Sequence, residues 1–348
     1  MKRALIVKLG AIGDVIMAVP AVHELHQRGY AIDWICGPAV AGLLRCYSWI
    51  NVLVADDRAV LQGSAWERLK AIGTVWKSVF RTRYDLTATL YYDARWRIFT
   101  LPVRANRKLT LSHTDRNRRI LPTRYHTNEF ARILLELPDT YRDSGFSPVR
   151  PDRLPPSAGR SCITGRRIAI VPAGASNMVR QQTLRRWPAE RYAAITSEYL
   201  NRGWEVLLLG GPGDTWVRES FASVADHPLL IDLIGATTLP ELISTADTCD
   251  LVLSHDTGPL HMAGLSRAPL LALFGPTDPG SFLPRRADVR VIWGGEGLAC
   301  RPCYDGRDFA PCENNGCMQS ISVGTVLATM DDMLGLTTSS GGLVAVSA

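Results

Sequence analysis

The stretch 252-VLSHDTGPLHMAGLSRAPLLALFGPTDP-279 sets two apolar runs, VLS and PLLALF, on either side of a polar, turn-forming segment that opens onto a helical pattern. A short buried strand, a loop, a helix and a second strand form the repeating unit of a parallel sheet. Open parallel sheets hold ligands beyond the carboxyl ends of their strands, so the loop His255 to His261 is where a ligand is expected. Its helix start offers free N–H groups and the positive end of a dipole, which suit a phosphate. Gly258 lets a ligand approach the backbone, Thr257 adds a hydroxyl, and Pro259 is tolerated in a first turn. Asp256 should not touch phosphate, because like charges repel, and capping the helix is the expected role of its carboxylate. His261 is either a packed helix residue or a site residue.

The same pattern extends in both directions. Upstream lie RIAIVPA, a helix from Pro188 to Arg202, WEVLLLG, a helix near Thr215 to Val224, LLIDL, a helix from Pro240 to Asp247, and DLVLS. An earlier series begins with ALIVKL, a Gly-containing turn and an amphipathic stretch from Asp14 to Arg28. It continues with strands at 31–36, 51–55 and 85–90 and helices at Val40 to Leu44 and Trp66 to Phe80. The Pro-rich segment Pro148 to Arg160 separates the two series and reads as a linker. The expected architecture is therefore α/β, with two doubly wound Rossmann-like domains facing a central cleft. The divisions are a first domain over 1–150, a linker over 151–165, a second domain over 166–320, and a C-terminal helix and tail over 321–348. The Ser/Gly-rich end, Thr337 to Ala348, has the composition of a disordered tail.

A chain of 348 residues with 46% hydrophobic content has enough apolar material for two cores. Its longest apolar runs fall far short of the roughly 20 residues needed to span a bilayer. Lys8 and Asp14 interrupt the N-terminal apolar run before a secretory h-region can form, which points to the cytoplasm. The net charge of +6 is modest, but the window from Asp93 to Glu129 gathers Arg95, Arg97, Arg104, Arg107, Lys108, Arg116, Arg118, Arg119 and Arg124. That window is either a solvated face or a surface for phosphates, carboxylates or acidic lipid headgroups. No nucleic-acid-reading motif accompanies it, so nucleic acid is not the expected partner.

Other strand ends carry further candidates. In 174-GASNMVRQQTLRRWPAERY-192, Arg180, Arg185 and Arg186 precede a helix that Pro188 can start, and adjacent guanidinium groups suit a diphosphate. Asp214, in Gly210-Gly211-Pro212-Gly213-Asp214, is placed to bind ribose hydroxyls, although a Gly/Asp turn explains it equally well. Near the N-terminus, Gly10-Ala11-Ile12-Gly13-Asp14 lacks the spacing of the dinucleotide fingerprint G-x-G-x-x-G, which removes the main support for a nicotinamide oxidoreductase. Asp14 is either an N-cap or a carboxylate facing the cleft, able to take a proton from a hydroxyl nucleophile. Cys300-x2-Cys303-x8-Cys312-x4-Cys317 suggests a structural zinc or iron ion, with reduced thiols in a loop as the alternative. Cys36, Cys46, Cys162 and Cys249 are isolated and expected to be packed.

Three segments, LGAIGDVIMAVPAVHEL, RRWPAERYAAI and HDTGPLHMAGLSRAPLLALFGPTDP, resemble glycosyltransferase family 9, the heptosyltransferases of the lipopolysaccharide inner core. The resemblance spans nearly the whole chain. It implies a GT-B fold with an acceptor-binding first domain, an ADP-sugar-binding second domain and an inverting mechanism. By position, Asp14 matches the family's proposed base, and Thr257, Gly258, Leu260 and His261 match the diphosphate loop. The Lys of the family's Lys-x-Trp-Pro pattern is Arg185 here. Gly13, Arg95 and Arg97 are the acceptor-side candidates; Arg185, Asp214 and Asp256 to His261 are the donor-side ones. The implied partners are an ADP-heptose-like donor and an anionic lipopolysaccharide precursor at the inner membrane surface. The implied displacement needs no cofactor, and some family members hold iron in a Cys-rich segment. Two alternatives share this architecture: a GT-B-type sugar-nucleotide epimerase and a non-catalytic nucleotide-sugar-binding module.

Overall fold

In the computed structural model the described residues are 1–141, 146–176, 181–306 and 308–336. The first half runs β1 (Lys2–Val7), α1 (Ile12–Gln27), β2 (Tyr30–Cys36), α2 (Pro38–Leu44), β3 (Ile50–Val54), α3 (Asp57–Gln62), α4 (Ala65–Val79), β4 (Arg83–Thr89), β5 (Arg104–Thr110) and α5 (His126–Leu134). The second runs β6 (Arg167–Val171), α6 (Ala189–Asn201), β7 (Glu205–Gly210), β8 (Leu230–Ile234), α7 (Leu239–Ala246), β9 (Leu251–His255), α8 (Gly258–Ala263) and β10 (Leu270–Phe274). It closes with α9 (Pro279–Phe282), β11 (Val289–Trp293), α10 (Gly316–Gln319) and α11 (Val323–Met333).

Two all-parallel sheets result, ordered β3-β2-β1-β4-β5 and β11-β10-β9-β6-β7-β8. Each central strand is buried on both faces, as the unbroken runs LIV in β1, RIAIV in β6 and LLALF in β10 require. In each sheet the strand order reverses beside the first strand, and crevices at such switch points are where ligands settle. The crevices lie beyond β1 and β4 in one sheet and beyond β6 and β9 in the other.

Local chemistry fixes the helix ends. Ser64 with Glu67, and Thr238 with Glu241, close reciprocal capping boxes on α4 and α7. Pro188 is the residue before α6 rather than its first helical residue, and the helix expected near Thr215 to Val224 is a run of 3-10 turns over Pro212–Val224. The tail from 337 lies outside the described residues.

The halves meet through α1 and α8, where a Cβ on Gly13 would lie 2.6 Å from His261 Cδ2, and one on Gly258 would lie 3.4 Å from Ile12 Cβ. The segment joining the sheets is pinned to both halves. Tyr47 Oη donates to Val149 O at 2.8 Å, and Arg150 Nη1 reaches Asp247 Oδ1 at 2.9 Å and Leu265 O at 2.8 Å. The carboxyl ends of the strands in both sheets thus line one cleft.

Candidate functional site

The wall contributed by the first half is built around Lys8 and Asp14. Lys8 follows the last residue of β1, where the strand leaves the core, and its side chain is 6% exposed. A buried ammonium needs a partner, and Asp14 supplies it: Nζ to Oδ2 is 2.9 Å, and the ammonium also lies 4.4 Å from the ring centre of Tyr91. Tyr91 Oη accepts from the N–H of Leu9 and Gly10 at 2.9 and 3.0 Å and donates to Gly10 O at 2.7 Å, which pins the turn in front of α1. Asp14 is the third residue of α1, and Ala11 occupies the N-cap with no side-chain bond, so the N-cap alternative for Asp14 is excluded.

Burial is the largest influence on Asp14 and would raise its carboxyl. The nearby Lys8 charge, the Lys8 hydrogen bond, His126 and His261 together outweigh it and hold the group below the usual carboxylate range. Burial would likewise lower Lys8, but Asp14 and the tyrosines keep it above its ordinary value. His126, at the start of α5, is pushed down to about 4 by burial, with Asp14 opposing and Lys8 reinforcing. The resting arrangement is a carboxylate anion, 41% exposed to the cleft, held by one ammonium among neutral imidazoles.

The facing wall is set by Trp187. Its indole is buried against Tyr192, with ring centres 4.8 Å apart, and donates to Ile321 O at 3.0 Å, fixing the chain so that Arg185 and Arg186 turn toward the cleft. Arg186 Nε donates to Gly174 O at 2.9 Å, and its guanidinium stacks 4.8 Å from the Trp216 ring centre. Arg185 Nη1 lies 3.3 Å from Asp256 Oδ2, which also accepts from Thr277 Oγ1 at 2.6 Å. Arg185 Nε is buried without a hydrogen-bond partner among the described residues. Thr257 Oγ1 accepts from Ala175 N at 2.7 Å, tying the β9 loop to the β6 loop. His255 ends β9; its Nδ1 meets Tyr192 Oη at 2.9 Å, its Nε2 has no partner among the described residues, and burial pushes it down to about 3. His261 is lowered by burial and lies near enough to both Asp256 and Asp14 to feel each charge, so the two walls share one site.

Several residues singled out in the sequence do other work than expected. Asp256 does not cap α8; it anchors Arg185 and receives Thr277. Asp214 accepts the Gly211 N–H at 2.8 Å and so closes its own turn. Leu260 is buried in the core. The basic window is largely compensated: Arg95 pairs with Asp93, Arg107 with Glu136, Arg116 with Asp139 and Arg118 with Asp115, while Arg124 joins Arg132 on the buried Glu129. Arg97, Arg104, Lys108 and Arg119 make no ion pair among the described residues. Arg180 lies outside the described residues.

Cys300, Cys303, Cys312 and Cys317 line one cavity of about 60 Å³, together with Leu184 and Pro276. Among the described residues no three His, Cys, Asp or Glu side chains are grouped to hold a metal ion, so the expected cage is not assembled. Cys36, Cys46 and Cys249 are buried, as expected, whereas Cys162 is only partly so. Lys8, Tyr91, His126, Phe282, Tyr304 and Phe309 enter the site without having been singled out for it. Only Lys8 left a signal, as a lone cation at the end of a buried strand.

The family model of glycosyltransferase family 9 (heptosyltransferase) matches residues 140–312. Lipopolysaccharide heptosyltransferase 3 of Escherichia coli is 24% identical over 341 residues, covering 92% of this chain and 96% of that protein. Among solved structures, the family 9 glycosyltransferase of Veillonella parvula has a TM-score of 0.73 at 18% identity, covering 97% of this chain and 98% of that one. An E. coli heptosyltransferase solved with ADP has a TM-score of 0.71 at 16% identity, covering 95% and 99%. An iron-containing dodecameric glycosyltransferase of E. coli has a TM-score of 0.59 at 15% identity, covering 97% and 77%. The likeness to these structures gives the fold, two parallel sheets in the GT-B arrangement, and the family model leads to one statement: residues 140–312 of this chain match the glycosyltransferase family 9 (heptosyltransferase) domain.

Proposed function

We propose that this chain transfers a heptose, or a closely similar sugar, from an ADP-sugar to the inner core of a lipopolysaccharide precursor, with inversion at the anomeric carbon. One observation carries this most directly. A carboxylate open to solvent, Asp14, and a guanidinium whose Nε has no partner among the described residues, Arg185, both lie near His261. An acceptor hydroxyl beside Asp14 attacks the anomeric carbon and gives its proton to the carboxylate. As the new C–O bond forms, the bond to the diphosphate breaks and its electron pair leaves on the phosphate oxygen, where Arg185 and the β9 loop meet the growing charge. Charge that appears only in the transition state is where fixed cationic and N–H donors contribute most. Asp14 is weakly basic beside Lys8, which suits a proton that moves late, once the hydroxyl oxygen has become acidic by bonding to carbon. This displacement uses no metal, and the four clustered cysteines are not among its reacting groups.

The lipid-linked nature of such an acceptor calls for contact with a membrane, and α4 offers a surface for it. Its inner face buries Ala71, Ile72, Val75 and Val79, yet Trp66, Leu69 and Phe80, on the opposite side, are 73%, 60% and 46% exposed. Lys70 and Lys77 share that outer face, and Arg81 lies over the Phe80 ring at 5.2 Å. Apolar and cationic side chains on one helix face suit an anionic bilayer surface. No helix among the described residues is long and apolar enough to cross a membrane.

Incubation of the protein with ADP-heptose, with and without a truncated lipopolysaccharide acceptor, tests the transfer. Release of ADP that requires the acceptor supports it. An isomerised sugar nucleotide formed from donor alone would replace it with an epimerase.

A further inference from the structure

The loop bearing the four cysteines is also a wall of the cleft. The segments Cys303–Gly306 and Asp308–Ala310 run antiparallel beside each other. Ala310 N donates to Cys303 O at 3.2 Å, Asp305 N to Asp308 O at 3.1 Å, and Tyr304 bridges Phe309 in antiparallel fashion. The base of this hairpin is tied to the loop after β10, since the N–H groups of Cys303 and Tyr304 both reach Pro276 O, at 3.0 and 3.3 Å. That registration sets the Tyr304 and Phe309 rings side by side, with centres 4.8 Å apart, and turns them onto Arg185. The guanidinium carbon lies 5.0 Å from the centre of Tyr304, 5.4 Å from Phe309 and 5.8 Å from Phe282.

A guanidinium among three aromatic rings, with one carboxylate at 3.3 Å, has little freedom to swing away. Ring contact satisfies the charge but not the N–H groups, and among the described residues Nε is buried without an acceptor. Leaving such a donor unpaired is costly unless a ligand supplies the oxygen. The planar group is also what the box selects, because a lysine ammonium would present no flat face to stack between rings. Tyr304 is half-buried, and its hydroxyl lies close enough to Arg185, Asp14 and Asp256 to feel all three, which sets it between the two walls.

We infer that the hairpin formed by the paired segments Cys303–Gly306 and Asp308–Ala310 belongs to the donor site. Tyr304 and Phe309 are positioning residues which, with Phe282, hold the Arg185 guanidinium aimed at the diphosphate of a nucleotide sugar. The inference rests on Arg185 being the diphosphate ligand, as proposed above. ADP affinity measured by calorimetry tests both and separates them. Tyr304→Leu keeps apolar bulk but removes the aromatic face, and should weaken ADP binding roughly 3- to 30-fold. Tyr304→Phe should stay within about twofold of wild type, since it keeps the ring. In an Arg185→Ala background, Tyr304→Leu should add almost nothing, because Tyr304 acts through the guanidinium.

Wild-type affinity in Tyr304→Leu, alongside weakened binding in Arg185→Ala, would overturn the role of the hairpin while leaving Arg185 in place. Equal losses from Tyr304→Leu with and without Arg185 would overturn it too, by showing that the tyrosine acts independently. Wild-type affinity in Arg185→Ala would remove the diphosphate assignment itself. Phe309→Leu, on the other strand of the hairpin, should repeat the Tyr304→Leu result, and if it binds ADP as wild type does the box is not the holding device.

Discussion

At the scale of single residues, Asp14 and Lys8 must be considered together. Asp14→Asn removes the proton acceptor, and turnover should fall by about two to four orders of magnitude. The same change leaves the Lys8 ammonium buried beside a neutral amide, so some loss of stability is expected as well, in contrast to a cap, where Asn would be neutral. Steady-state rates and ADP affinity on the folded variant separate the two effects. A variant that binds ADP normally but turns over near the wild-type rate would show that Asp14 is only the partner of Lys8. This pair was half legible in the sequence: Asp14 stood out just after a turn, but Lys8 read as an interruption of an apolar run. The coupling that gives the pair its meaning depends on α1 folding back over the end of β1, which no local pattern records. Tyr304 and Phe309 were hidden for a related reason, since they lie in an irregular Cys- and Gly-containing loop without periodicity and are set beside Arg185 by backbone bonds of Cys303 and Tyr304 to Pro276 and by the bridge between the two rings' strands.

At the scale of elements, the buried strands declared themselves by continuous apolar runs, whereas the edge strands did not. β5, RANRKLT, reads as part of a basic loop because only one neighbour covers it and its arginines and lysine face solvent, and β11, VRVIW, is the opposite edge of the other sheet. Charged edges of this kind resist pairing with other chains. The α1–α8 contact is the element-level feature most open to test. Gly13→Ala would drive a Cβ to 2.6 Å from His261 Cδ2, so either the imidazole moves or the two helices part. A loss of about 1–3 kcal/mol is expected from the overpacking, together with reduced transfer. Denaturant titration and assay check it, and unchanged values in both would mean that the helices sit further apart. The outer face of α4 gives a second test: Trp66→Glu with Leu69→Glu should abolish flotation with anionic vesicles and leave the melting temperature within a few degrees, because both residues are exposed. Flotation that persists would place the membrane contact elsewhere.

At the scale of the whole molecule, histidines wholly or partly withdrawn from solvent tie stability to pH. His126 is held down to about 4 and His255 to about 3, and His261 is also lowered, in each case chiefly by burial. The unfolded chain binds protons at these residues near pH 6.5, whereas the folded chain does not. Stability should therefore be full above about pH 7 and fall as pH drops from about 6.5 toward 4, by up to about 1.4 kcal/mol per pH unit for each histidine. Asp14, with its lowered carboxyl, adds to the loss only at still lower pH. Urea titrations between pH 7.5 and 4.5 read this slope, and a flat profile down to pH 5 would contradict the shielding of these imidazoles from protonation. His126 lies near Asp14, His255 near Arg185, and His261 near both, so the same packing that sets this slope also joins the two halves of the site. The central claim is that this cleft joins a nucleotide-sugar donor to a separate acceptor. Mass spectrometry of the purified protein, offered a panel of nucleotide sugars together with truncated lipopolysaccharide acceptors, tests it most directly. The account predicts an acceptor heavier by one heptose, or one closely similar sugar, with an ADP-sugar, little or none with Asp14→Asn, and an unchanged donor when acceptor is withheld. An acceptor that never gains mass while the donor isomerises, or binds without turnover, would contradict it.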